Sequence, residues 1–385
     1  MNLIHKNFRK FCLRLHLWLG LLSGIVVFIV CITGCLYAFK DEINDATQPW
    51  RFVSPKPSPL LMPEEILKVA NNHTGKNTPT AITYGETTDA VFVDYMDFKT
   101  TSYTVFINPY TGKVIHSVCK EPGETDFFSF ILKGHRTLWI PGKAGKLMIG
   151  YSVVIFVITL ITGLVLWYPR KWNKKTALRN FTLKINSPFA RLNYDLHNVL
   201  GGYAAIVLFV LSATGLVWSF NWFSKATYYI TSGGKELKPY VLPQSDTLHI
   251  EAGKASLNVL FKKLKEESPN AATFYFALPQ KKEEVIRVSV VHERGSYYKT
   301  DNLFFDQYTL APLQGSGAYA GKYTEASLAD KLRRMNLEIH DGRILGIFGK
   351  IIVFVCALIG ASLPVTGFII WFKKKRNHSL HLRKS

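Results

Sequence analysis

Cysteine is scarce in this 385-residue chain, with five residues at positions 12, 31, 35, 119 and 356. Four of them lie inside or beside apolar runs, Cys31 and Cys35 stand one helical turn apart, and no Cys-x-x-Cys or zinc-ligand spacing occurs. A disulfide-stapled secreted domain and a zinc protein are thereby excluded. Acid is also in short supply: 27 Asp+Glu face 47 Lys+Arg, for a formal net charge of +20. That excess is compatible with nucleic-acid binding until its distribution is known. No glycine-rich nucleotide loop follows a strand-like segment. Charge is missing altogether from four long apolar stretches, Leu15–Phe39, Leu147–Tyr168, Val199–Phe223 and Ile351–Phe372, in which only His16 titrates near neutral pH.

Each stretch has at least 22 residues, and a helix needs about 20 to cross the hydrocarbon of a bilayer. Trp18, Trp167, Tyr168, Trp218, Trp222 and Trp371 sit toward the run ends, where interfacial aromatic belts form. The expected fold class is an α-helical integral membrane protein with four transmembrane helices. Residues 1–14, 169–195 and 373–385 carry four, seven and six Lys/Arg with Asp195 as their only acid. Segment 40–146 holds 12 bases and 12 acids, and segment 224–350 holds 18 and 14. The excess charge is therefore a positive-inside signal: both termini are expected in the cytoplasm and both long segments outside. The basic segments are short and hug the membrane, which removes the nucleic-acid reading. Ile32-Thr33-Gly34-Cys35 resembles a lipoprotein cleavage box, but its apolar run is longer than a signal core, and Thr-Gly recurs in all four helices.

The chain reads as a duplication. Leu15-His16-x-x-x-Gly20 with Thr33-Gly34 matches Leu196-His197-x-x-x-Gly201 with Thr214-Gly215. Thr162-Gly163-x-x-x-Trp167 matches Thr366-Gly367-x-x-x-Trp371, and Phe106-x-Asn108-x-Tyr110-Thr111 matches Phe304-x-Asp306-x-Tyr308-Thr309. The unit is helix, outer domain, helix, stated twice in the same sense, so a pseudo-twofold axis along the membrane normal is expected. Each long segment reads as a small α+β module. The first has a helix from Pro63 to Ala70 and strands around Ala90–Asp94 and Tyr103–Asn108. The second has a helix over Ala255–Glu267 and strands over Ala272–Leu278, Glu284–Val291 and Tyr297–Phe305. Leu310 stands in the second where the first has Gly112.

Four of eleven histidines occupy matched places. His16 and His197 begin the first and third helices at the cytoplasmic face, and His135 and His340 precede the second and fourth at the outer face. Each leaflet thus receives one imidazole from each half, an arrangement that suits the two axial positions of a low-spin haem iron. Interfacial histidines also serve as headgroup or interhelical contacts. Gly163 and Gly367 fall at the level of His16/His197, and Gly34 and Gly215 at that of His135/His340. They suit either the approach of a flat macrocycle or close helix packing. Arg136 and Arg343, beside the outer pair, and Arg14 and Arg191, near the inner one, suit haem propionates or, for the latter two, topology signals. The other histidines (5, 73, 116, 249, 292, 378 and 381) lie in tails or loops, with His116 and His292 open to substrate contact.

At these residues the chain resembles the PepSY-associated transmembrane (PepSY-TM) family of bacterial iron-uptake proteins. The resemblance rests on Leu-His-x-x-x-Gly with Thr-Gly in the first helix and His135-Arg-x-Leu-Trp before the second. It continues with His197-Asn-x-x-Gly-Gly in the third and Ile-His340-Asp-Gly before the fourth, while Phe106-Ile-Asn-Pro-Tyr-Thr-Gly-Lys-Val looks like a PepSY strand-turn. With the PepSY label that the resemblance adds, the layout read from the runs and charges is a cytoplasmic N-terminus 1–14, helix 15–39, a periplasmic PepSY-like module 40–146, helix 147–168 and a basic loop 169–195. Helix 196–223, a second module 224–350, helix 351–372 and a basic tail 373–385 complete it. The resemblance to FoxB-type siderophore reductases implies two haem b groups per chain. His16 and His197 would bind one iron, and His135 and His340 the other. A ferric siderophore or chelate would be reduced at the periplasmic face of the bacterial inner membrane. Electrons would come from a cytoplasmic reductase or membrane quinol. The alternative is a non-enzymatic PepSY scaffold or binding module that regulates a peptidase or transporter.

Overall fold

The structure, a computed structural model, describes residues 3–96, 101–169 and 172–382. The chain divides into two compact units: residues 1–40, 126–226 and 339–385 form one, and 41–125 with 227–338 form the other.

The first unit is helical. Among the described residues four helices are long and apolar enough to cross a membrane, over Lys6–Ala38, Ala144–Trp167, Phe189–Ser219 and Arg343–Arg376. The protein is a multi-pass membrane protein. The first helix begins at Leu3, ahead of its apolar run, because a basic rim can continue a helix that lipid no longer requires. The second helix ends at Trp167, where Arg9 donates from its guanidinium to the carbonyls of Leu166 (2.6 Å) and Tyr168 (3.1 Å). Those are the acceptors a helix C-terminus leaves open. The third begins at Phe189 and stops at Ser219, with Phe220 extended; it contains a π-helical turn over Leu196–Leu200. The fourth accommodates Pro364 in its interior.

Between the helices lies a core of Val27, Phe156, Leu160, Ala204, Ala205 and Leu208. Close approach depends on small residues, as expected where lipid tails compete equally for apolar surface. A Cβ on Gly24 would lie 3.2 Å from Pro364, and one on Gly360 would lie 2.9 Å from Leu208. Leu22, Ile25 and Ile206 remain exposed on the bundle, as lipid-facing side chains do.

The second unit is one antiparallel sheet of eight strands. They are β1 (Ala81–Tyr84), β2 (Val91–Tyr95), β3 (Ser102–Ile107), β4 (Val114–Lys120), β5 (Thr273–Ala277), β6 (Ile286–Glu293), β7 (Ser296–Phe305) and β8 (Pro312–Leu313). Their order is β4-β3-β2-β1-β5-β6-β7-β8, so the two inter-helix segments share a sheet. The seam pairs Ala81 with Ala277 and Thr83 with Tyr275. Helices Pro63–Thr74 and Leu257–Glu267 place Ile66, Ala70, Leu260, Phe261 and Leu264 against Ile82, Val93, Phe274 and Phe276. Glu64 ties the two helices together by accepting from Ser256 Oγ (2.6 Å) and Asn258 Nδ2 (3.1 Å).

The matched turns are built alike. Asn108 Oδ1 accepts from the amide of Tyr110, and Asp306 Oδ1 accepts from those of Tyr308 and Thr309, all at 2.9 Å. Gly112 takes φ 70° at the close of the first turn, and Leu310 adopts φ 56° at the close of the second. Left-handed backbone costs a non-glycine residue about 1–2 kcal/mol. Leu310 is partly buried against the sheet core, which offsets that cost.

Candidate functional site

Two histidine pairs organise the helical unit. His16 projects from the first spanning helix toward the second, where its Nδ1 lies 3.0 Å from the carbonyl of Thr159 and 3.2 Å from Thr162 Oγ1. His197 projects from the π-turn toward the fourth helix, with Nδ1 2.9 Å from Thr366 Oγ1. The two rings meet with centroids 6.2 Å apart and planes at 86°.

The second pair is carried by shorter elements. Helix Phe127–Thr137 is capped by Asp126, whose carboxylate accepts from the amide of Ser129, and closes at Leu138 in left-handed backbone. Trp139 folds back over Gly134 and donates from Nε1 to the carbonyl of Phe130. This fixes the last turn, from which His135 reaches the first spanning helix: Nδ1 lies 2.9 Å from the Val30 carbonyl and 3.3 Å from Thr33 Oγ1. His340 ends helix Leu328–Asp341, and its Nδ1 lies 2.9 Å from Thr214 Oγ1 on the third spanning helix. The His135 and His340 centroids are 6.1 Å apart, with planes at 66°, and Trp218 stands edge-on to His340 at 5.2 Å.

The tautomer follows from the partners. A carbonyl can only accept, so Nδ1 of His16 and of His135 carries the proton. Each threonine hydroxyl spends its own proton within its helix: Thr33 on Ile29, Thr162 on Ile158, Thr214 on Val210 and Thr366 on Ser362. The oxygen is then an acceptor, so Nδ1 of His197 and of His340 is protonated as well. Four Nε2 lone pairs remain, which is the state of a metal-binding imidazole oriented by a second shell. Burial holds both His135 and His340 below the ordinary histidine pKa; the Arg136 charge adds to the effect at His135, and at His340 the cost of a second proton beside the His135 ring adds to it.

Four glycines admit the rings. A Cβ on Gly163 would lie 3.0 Å from Cε1 of His16, and one on Gly367 3.1 Å from that of His197. On Gly34 it would lie 3.3 Å from Cε1 of His135, and on Gly215 3.5 Å from that of His340. The glycines fall at the levels expected, and what stands against them is an imidazole edge. Sequence reasoning missed the threonines' part; their recurrence before each glycine was the available signal. The 17 residues from His16 to Thr33 separate the two levels by roughly 25 Å at 1.5 Å per residue.

Metal–imidazole bonds of about 2 Å on either side of an ion, with about 1 Å more to each ring centre, place two centroids about 6 Å apart. Both pairs meet that spacing. No cluster of three or more His, Cys, Asp or Glu suited to a metal occurs among the described residues, so the protein donors come in twos. The pairs therefore suit an ion that brings its own equatorial ligands.

The remaining candidates stand apart. Arg14 and Arg136 are exposed. Arg191 forms an ion pair with buried Asp195 at 2.9 Å, and Arg343 donates from Nε to Asp341 Oδ2 at 2.8 Å. His116 stacks on Trp50, His292 pairs with Asp301 at 2.8 Å, and His73 is exposed. The side chains of His5, His249, His378 and His381 lie outside the described residues.

No curated protein matches the chain. The family described as the PepSY-associated TM region matches residues 13–374. That span reaches into all four spanning helices and holds both histidine pairs and the sheet, and the chain belongs to this family.

Proposed function

We propose that the protein is a di-haem b electron carrier of the bacterial inner membrane that reduces a ferric siderophore or other ferric chelate at the periplasmic face. One observation carries the reading: two opposed imidazole pairs, each ring with an acceptor at Nδ1, spaced for a metal and set at opposite ends of the spanning helices. Haem bound there supplies reversible one-electron chemistry at iron. The positive-inside charge distribution supports cytoplasmic termini, with His16/His197 on the cytoplasmic side and His135/His340 on the periplasmic side. The matched motifs, and the identical threonine-glycine seat given to each ring, support a tandem duplication.

The chain's own residues have definite tasks in this reading. Thr162, Thr366, Thr33 and Thr214 hold the imidazoles in one tautomer and orientation. Gly163, Gly367, Gly34 and Gly215 let the rings seat closely, and the apolar core around Phe156 and Leu208 excludes water between the levels. Arg136 is exposed and available to a propionate, whereas Arg343 already serves Asp341. A cytoplasmic reductase or membrane quinol delivers electrons at the His16/His197 level. Fe(III) in the chelate becomes Fe(II), which hard oxygen donors hold more weakly, and iron is released.

The test is a reduced-minus-oxidised spectrum of the purified protein with haem stoichiometry, followed by chelate reduction outside proteoliposomes from a donor enclosed within. Two haems per chain and outward reduction are expected. Protein without a Soret band would overturn the reading in favour of a scaffold that regulates a peptidase or transporter.

A further inference from the structure

The third spanning helix departs from regular geometry at one place, the π-helical turn Leu196–Leu200. The equivalent histidine of the first half, His16, sits in uninterrupted α-helix. π-turns are uncommon and concentrate at functional sites. Within this one, directly after His197, the amide nitrogen of Asn198 is buried and has no hydrogen-bonding partner among the described residues. Buried donors are nearly always paired, so an orphan calls for an explanation, and beside a candidate ligand histidine a bound acceptor supplies one. Leu17 holds the corresponding place after His16, so the two halves differ here in polarity.

The helix sets the direction. Successive α-helical residues are turned by about 100°, and a wider π-turn reduces that angle. A ring that points along the axis through the metal therefore has its neighbour pointing roughly along the plane of a macrocycle held on that axis. Carboxylate arms leave such a group at an edge and not at a face. We propose that Asn198 donates from Nδ2 to a carboxylate of the macrocycle held between His16 and His197, so that its acidic edge lies on the side to which Asn198 points. The inference rests on the haem reading above. It adds an orientation that the pseudo-symmetric ligands alone leave open.

The experiment uses the full-length chain, loaded in detergent with haemin or with haemin dimethyl ester, whose carboxylates are blocked. Haem retention against apomyoglobin and the midpoint potentials of both haems are measured. With haemin, Asn198→Leu is expected to release the inner haem roughly ten-fold more readily, the size of one lost hydrogen bond to a charged group. Its inner potential falls, because a less compensated carboxylate favours Fe(III), while the outer haem is unchanged. Asn198→Ser keeps a donor and stays near wild type. With the ester, whose carbonyls accept only a weaker, uncharged hydrogen bond, the difference between wild type and Asn198→Leu shrinks.

Equal retention and potential with haemin would overturn the proposal, as would a difference that persists undiminished with the ester and so reflects packing. If Asn198→Leu fails to fold, Asn198→Asp decides: it must release haemin faster than wild type, and equal release refutes the contact. A wild-type chain that binds no haem overturns the proposed function and this inference together. Two haems with an indifferent Asn198 overturn this inference alone.

Discussion

The two histidine pairs use the same parts in opposite order. At one level the rings belong to the first and third spanning helices and the threonine-glycine seats to the second and fourth. At the other, the first and third helices supply the seats, and the rings come from short helices that precede the second and fourth. The constant element is therefore the seat: a hydroxyl that accepts from Nδ1 and a missing Cβ beside Cε1. The variable element is what carries the ring. His16 belongs to a 36-residue helix, whereas His135 ends an 11-residue one that needs the Asp126 cap and the folded-back Trp139.

The largest effect that can break this comparison is removal of a ring. His16→Ala or His197→Ala should lose one of two haems and leave the other spectrally intact, and His135→Ala or His340→Ala should do the converse. Either loss should stop transfer across the membrane, since the levels stand roughly 25 Å apart. Dithionite added outside should bypass the His16 block. Loss of both haems from one folded variant would show that the pairs are not independent.

Next come the seats. Thr366 and Thr214 lie 2.9 Å from their rings, beside the backbone acceptors of Leu363 and Leu211, whereas Thr162 and Thr33 lie 3.2 and 3.3 Å away and are outdone by carbonyls at 3.0 and 2.9 Å. Thr366→Val and Thr214→Val should therefore weaken haem retention by about 10–100-fold, the usual cost of a lost second-shell partner. Thr162→Val and Thr33→Val should cost less, because Thr159 and Val30 still accept. Equal losses at all four would make the carbonyls irrelevant.

A smaller effect separates the short carrier helix from the long one. Asp126→Ala removes a cap worth about 1 kcal/mol. It should lower retention at the His135 level only, read as a change confined to that haem's spectrum. A matching change at the His16 level would mean that the cap supports the whole helical unit.

The spans were legible because four uncharged runs have no other soluble or fibrous explanation. Their ends were not: Leu3 and Phe189 begin helices in polar sequence, where backbone hydrogen bonds, and not hydropathy, decide. Paired rings could be read from the repeat. The hydroxyl seats could not, because His197 and Thr366 lie 169 residues apart and no local pattern links them. Each inter-helix segment read as a complete α+β module, yet a module with an open β1 or β5 edge is completed by its counterpart. Sequence reasoning also treated Leu310 as a departure from the glycine turn. The backbone takes the left-handed conformation anyway, because core contacts outweigh the local preference.

The finest test of the seat is a graded series of alanines. Ala is favoured over Gly within a helix by about 0.5–1 kcal/mol, so each substitution begins with a gain. At Gly215 the new Cβ would lie 3.5 Å from His340, an ordinary contact, and the gain should survive as a small rise in thermal stability. At Gly34 the distance falls to 3.3 Å, at Gly367 to 3.1 Å and at Gly163 to 3.0 Å. There the imidazole has to retreat by a few tenths of an ångström, which draws Nδ1 of His16 away from Thr159 and cancels the gain. Retention and stability should therefore fall in the order Gly215, Gly34, Gly367, Gly163, with the spectral change confined each time to one level. A uniform response would mean that the glycines serve helix packing and not the rings.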